Sequence, residues 1–153
     1  MSNSKYELMT DKKIDVFGRK LFRIRALNSF GSVNAGDEGG YVESESNLSD
    51  KGNAWVSGDA WVYGDAWVSD DAWVYGDARV SERSAIFWAS NVGSEFGTLN
   101  VFRCESGIGV RRGCFFGTPE DFLAAVEQKH GADSKIGREY HLLMQVALSR
   151  VSE

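Results

Sequence analysis

From Asn53 to about Ser94 the chain repeats a six-residue unit in a single frame, and few folds can satisfy such a constraint. Each unit runs through a small residue, an aromatic, a Val, a polar or aromatic residue, Gly and Asp, as in Ala60-Trp61-Val62-Tyr63-Gly64 followed by Asp65. The aliphatic register is Val56, Val62, Val68, Val74, Val80, Ile86 and Val92. Two places earlier stand Ala54, Ala60, Ala66, Ala72 and Ala78, then Ser84 and Ser90, which makes seven hexads. Alternation along a short strand sends the Ala and Val side chains to one face and the aromatic between them to the other. Gly58, Gly64 and Gly76 fall where the chain must bend. Asp59, Asp65, Asp71 and Asp77 follow at the corner, where a short carboxylate can accept neighbouring backbone N–H groups. Strands this short cannot bury an apolar side alone, so each must stack on a later turn of the chain.

The hexads resemble the left-handed parallel β-helix proteins, in which three hexads form one triangular coil around stacked aliphatic side chains. That resemblance implies a coil every eighteen residues, with Val56 on Val74 and Val92, Val62 on Val80, and Val68 on Ile86. It also implies a homotrimer, the usual assembly of that family. Glycine here stands two places after the aliphatic residue, whereas the common family pattern puts a small residue one place after it. The wider sequence resembles uncharacterised proteins encoded by tailed phages and prophages. The likeness rests on Ile24-Arg25-Ala26-Leu27, the Gly-Asp-Ala-x-Val units and Gly137-Arg138-Glu139-Tyr140.

Around the repeat, two alternating runs separated at Gly18 predict a hairpin from Lys13 to Leu27, with Phe22, Ile24 and Ala26 on one face and Leu21, Arg23 and Arg25 on the other. The first few residues of the chain read as loose. Ser29 to Gly52, with Val42 and Leu48 in the small-residue register, reads as an irregular opening turn of the repeat. Thr98–Cys104 and Ile108–Arg112 flank Glu105-Ser106-Gly107 as a second hairpin. A helix is expected from Thr118, with Pro119 at its first position, Asp121 three residues past the cap and Gly131 as its stop. A final helix over 137–151 carries Tyr140, Leu143, Met144, Ala147 and Val151 at helical spacing. The two helices are expected to pack as a pair on the coil end or on a neighbouring subunit. The expected fold is therefore mainly β: a short left-handed parallel β-helix (33–97) between N-terminal strands (1–32) and a hairpin plus two-helix segment (98–153), forming one cooperative unit.

At 153 residues the chain has room for one core. It has no apolar run of membrane-spanning length and no basic-plus-apolar start, so the cytoplasm, that of an infected bacterial host if the phage likeness holds, is the expected location. A net charge of −5 argues against direct DNA binding. Cys104 and Cys114 could face each other across a hairpin, but read better as free thiols.

Chemistry is sparse. Many β-helix acyltransferases use a histidine near a coil corner, yet His130 and His141 both lie in the helical tail. No metal-ligand spacing, phosphate-cradling glycine loop or nucleophile arrangement is present, so neither catalytic residues, metal nor cofactor is assigned. The outward row is more informative. Trp55, Trp61, Trp67 and Trp73, with Arg79 in the same register and Tyr63 and Tyr75 beside them, should point away from the core. Exposed aromatic clusters mark interfaces or binding grooves, unless flanking elements or a sister subunit cover them. With Arg23 and Arg25 they would suit an aromatic plane with an attached phosphate. The resulting expectation is a non-enzymatic phage counter-defence protein that sequesters a nucleotide-derived immune signal or occludes a host defence protein. The alternatives are a degenerate acyltransferase-like enzyme and a structural or assembly protein of the virion.

Overall fold

The computed structural model describes residues 3–151; Met1 and Ser2, the first of the residues expected to be loose, lie outside them. The N-terminal hairpin is longer than its sequence signal, with β1 over Tyr6–Val16 and β2 over Arg19–Ala26 turning at Phe17-Gly18. Leu21, expected on the arginine face, is fully buried. Strand β3 (Glu38–Val42) pairs antiparallel with β2 and parallel with β5 (Trp61–Val62), which in turn pairs with β7 (Arg79–Val80). On another side, β4 (Trp55–Val56) pairs parallel with β6 (Trp73–Val74).

The eighteen-residue spacing is visible in these pairs: Val56 opposes Val74 and Val62 opposes Val80. Val42 and Leu48 depart from it, pairing with Val62 and Val68. The register difference is taken up between Leu48 and Trp55, where a wider turn carries two additional residues.

The left-handed parallel β-helix is nevertheless not what the chain builds. Among the described residues no closed solenoid forms, and the fold is mixed α/β: a mixed five-stranded sheet, a two-stranded parallel pair, a four-stranded antiparallel sheet and two helices. The regular corners run only as far as Gly76. Gly58, Gly64 and Gly76 hold φ of 66°, 62° and 71°, and Asp70 takes φ 59° at the corner that lacks glycine. At the next corner Glu82 is extended, with φ −157°, and a 3₁₀ turn over Arg83–Ala85 follows. Ile86–Val92 then runs straight as β8 instead of bending into a further coil. It pairs antiparallel with β9 (Gly97–Cys104), so Ile86 opposes Phe102 and Val92 opposes Gly97; neither stacks on Val68 or Val74 as expected.

Strand β10 (Gly107–Arg112) and the short β11 (Phe115–Gly117) complete the antiparallel sheet. Helix α1 (Pro119–His130) is capped by Thr118, whose hydroxyl accepts from the Asp121 N–H, and ends at Gly131. Helix α2 spans Lys135–Val151. The helices pack on the antiparallel sheet, where Phe122, Val126, Tyr140, Met144 and Ala147 meet Leu99, Val101 and Val110. Strand β9 serves two cores. Its Leu99 and Val101 face the helices, while Phe102 joins the Ala/Val interior of the parallel turns.

Parallel turns leave polar backbone at both ends of the stack. The N–H groups of Trp55 and Ser57 donate to Ala72 O and Val74 O in the next turn, while alternate residues point their N–H and C=O away from it, so each end of the stack presents both kinds of group. Buried Lys5 caps carbonyls at the first end: its Nζ donates to Ser49 O at 3.0 Å, Ala54 O at 2.7 Å and Lys51 O at 3.3 Å. Tyr6 Oη adds a bond to Leu48 O at 2.6 Å. Replacing Lys5 by Met keeps the aliphatic stem and removes the donors, and should cost about 2–4 kcal/mol of unfolding free energy in urea titration. A cost below about 0.5 kcal/mol, the range of an inert surface change, would show that these carbonyls do not need the cation.

Candidate functional site

The aromatic row does not form one continuous surface. Trp55 is only 2 % exposed, with Phe30 edge-on at 5.3 Å between ring centroids and Gly39 so close that a Cβ there would meet the indole at 2.8 Å. It belongs to the core, contrary to its expected outward position. Trp61 lies beside Arg79 in the parallel ladder and is covered by it, the guanidinium sitting 3.8 Å from the ring centroid. Arg79 also donates to Ala78 O and Asp59 O and faces Glu105 at 3.6 Å. Tyr63 is half-buried in the turn after β5.

Arg23 and Arg25 are engaged elsewhere, and the structure does not bring them to the tryptophans that stay open. Arg23 donates to Gly39 O at 2.6 Å, Tyr41 Oη at 2.7 Å and Asp59 at 3.3 Å, and lies over the Tyr41 ring. Arg25 is held by Glu7. Of the arginines expected at a site, none is free to meet an outside anion without giving up a partner.

A different arginine occupies the place they were expected to fill. Trp73 and Asp71 lie along one edge of a cleft of about 400 Å³, opposite β9 and β10, and Tyr75 stands beside it on the other side of Arg111. The guanidinium of Arg111 sits 4.7 Å from the Trp73 centroid and 4.9 Å from that of Tyr75. Phe116 meets Tyr75 edge-on at 5.1 Å and extends the aromatic strip. Among the described residues Arg111 has neither a hydrogen-bonded acceptor nor a carboxylate partner. Burial pushes its pKa below the ordinary arginine value, with Tyr75 and Cys114 opposing the shift. Two rings thus orient a cation that still lacks a counter-ion.

The cleft is built on a buried amide. Asn100, 3 % exposed, accepts the Trp73 backbone N–H at 2.8 Å through Oδ1 and donates to Arg111 O at 3.3 Å, tying β6 to β9 and β10. The Trp73 indole N–H donates to Ser57 Oγ at 2.7 Å, which fixes the ring. Arg112 stands at the far side, held by Tyr140 Oη at 2.9 Å and Glu95 at 2.6 Å. Sequence reading missed Arg111 and Asn100. The available signal was the alternation in Ile108-Gly109-Val110-Arg111-Arg112, which puts Arg111 on the face opposite Val110.

Neither helical histidine lines this cleft. His141 Nε2 is 3.0 Å from Glu127 across the helix pair, and His130 borders an adjoining hollow of about 310 Å³ with Lys129, Cys114 and Phe122, which shares Glu95, Arg112 and Gly113 with the cleft. Both cysteines are free thiols. Among the described residues no group of three or more His, Cys, Asp or Glu side chains is placed to share a metal ion, and no helix is long and apolar enough to cross a membrane. No protein-family model matches the chain, nor does any curated protein.

One titratable group near Arg79 gives a pH signature. Burial pushes the Cys104 thiol up from 9.0 to about 12, and the neighbouring Asp77 carboxylate adds to the shift. The folded state therefore favours the neutral thiol. Its contribution is complete below pH 9 and is lost as pH rises toward 12, because the unfolded chain ionises first. The stability difference between the wild type and Cys104→Ala, from urea midpoints, should shrink over that interval; a difference that is flat or grows would overturn the assignment.

Proposed function

We propose that the protein is a non-enzymatic binding protein whose cleft at Trp73 and Arg111, with Tyr75 at its margin, takes a small anionic ligand with a flat aromatic body, of the nucleotide class. The observation that carries this reading is the Arg111 guanidinium, positioned by two rings and left without an acceptor. A planar guanidinium presents paired N–H donors that match two oxygens of a phosphate. The exposed part of Tyr75 and the Phe116 edge offer apolar surface for a base. Trp73, anchored through Asn100 and Ser57, gives the site a rigid wall, which lowers the entropy cost of binding. The cleft is assembled within a single chain, so binding does not require the trimer implied by the β-helix likeness.

Joined to the likeness to phage-encoded proteins, such a site suits sequestration of a nucleotide-derived immune signal in the cytoplasm of an infected bacterium. Sequestration needs affinity and abundance and no turnover. Occlusion of a host defence protein would need a broad uncovered aromatic surface, and the covering of Trp55 and Trp61 reduces what is available.

Calorimetric titration of the full chain with a panel of mono- and dinucleotides, followed by chromatography of the recovered ligand, tests the proposal. At least one nucleotide should bind and be recovered unchanged. Arg111→Ala should weaken it about tenfold or more, roughly 1.4 kcal/mol, and Arg111→Lys should restore little because an ammonium lacks the paired donors. Absence of binding across the panel, or binding indifferent to Arg111→Ala, would sink the reading.

A further inference from the structure

The arginines divide sharply by partner. Arg19, Arg23, Arg25, Arg79, Arg103 and Arg112 each face a carboxylate, and Arg138 donates to Asp133 O. Besides Arg111, only Arg83 and Arg150 have no acceptor among the described residues. These two line one cleft, of about 300 Å³, and its other walls are Trp67, Ile86, Phe87 and Trp88.

The cleft is drawn from three parts of the chain. Trp67 comes from the repeat, in the turn whose Val68 pairs with Leu48. Arg83 comes from the 3₁₀ turn that ends the repeat, and Phe87 and Trp88 from β8 just after it. Arg150 comes from the last turn of α2. The Trp88 indole N–H donates to Asp70 Oδ2 at 3.3 Å, so that ring is held in place and the nearby carboxylate is already engaged. Glu82, the acid beside Arg83 in sequence, is likewise bonded to Arg103 at 2.8 Å. Among the described residues no carboxylate lines the cleft. Two cations and three aromatic side chains therefore share a concavity at the lower end of the about 300–1,000 Å³ range of small-molecule sites.

We infer that this cleft is a second ligand site, separate from that of Arg111, which takes a nucleoside monophosphate-like molecule with its base against Trp67 and Trp88 and its phosphate at Arg83 and Arg150. Two guanidiniums suit a terminal phosphate dianion, and indole faces accept any base. The site does not depend on Arg111, and each can exist without the other.

The two sites can be followed separately through the tryptophan indole N–H signals in ¹H–¹⁵N NMR spectra of the full chain, assigned by single Trp→Phe substitution. On titration with adenosine and guanosine monophosphates, the Trp67 and Trp88 signals should shift saturably with at least one of them, in Arg111→Ala as in the wild type. The double variant R83Q/R150Q should weaken that response about tenfold or more while leaving the remaining indole signals in place, which also reports that the fold is intact. Adenosine and guanosine without phosphate should leave the signals unmoved. Three outcomes would overturn the second site: no shift with either monophosphate, a shift indifferent to the double variant, or the same shift with inorganic phosphate alone. Shifts confined to Trp73 would refute this site while leaving the first one standing.

Discussion

Directional backbone hydrogen bonding governs how this chain uses its repeat. Parallel turns of two-residue strands satisfy each other only in the middle; both ends of the stack face outward with N–H and C=O groups. The chain meets carbonyls at one end with a cation and an N–H at the other with an amide oxygen. Lys5 collects three carbonyls from the first turn, and Asn100 accepts the Trp73 N–H from the last. An open stack would invite other chains to add to its edges. The N-terminal hairpin at one end and β9 at the other close it instead, and Ala78 pairs directly with Cys104 where β9 crosses.

That closure is also what makes the first cleft. Asn100 can reach Trp73 only if β9 lies against the last turn, and once it does, the next strand of the same sheet brings Arg111 over the outward aromatics of that turn. On the opposite face of β9, Leu99 and Val101 anchor the helices. A strand buried on both faces leaves little freedom to the residues around it, which is the rigidity a preorganised site needs. The closure of the stack and the proposed site thus share one amide.

The repeat frame, its corners, both hairpins and the capped helix were legible because each follows from local rules: period-two alternation, positive φ at glycine, a Thr-Pro helix start. Reading failed where a local rule met a distant partner. The frame continues past Val80 on paper, but Ile86–Val92 pairs antiparallel with β9, a partner that lies later in the chain, and not with the turns carrying Val68 and Val74. Trp55 is outward by alternation and buried in fact, because the segment carrying Phe30 and Gly39 folds over it. Arg23, Arg25 and Arg79 look available in the sequence since their acceptors, Asp59, Glu7 and Glu105, lie far along the chain or in turns. Arg111 looked ordinary for the same reason: nothing local tells an arginine with a carboxylate from one between two rings.

The net charge of −5 sharpens the meaning of the arginines left over. A chain with a general excess of acid repels polyanions at long range, and a Debye length of about 8 Å at physiological ionic strength confines attraction to short distances. Glutamates and aspartates neutralise most guanidiniums on this surface, so no basic stripe exists for a phosphate backbone to follow. The unpaired ones stand beside Trp73 in one cleft and beside Trp67 and Trp88 in another. Under the proposed function, such an arrangement suits an anion small enough to enter a cleft and flat enough to lie on its aromatic walls.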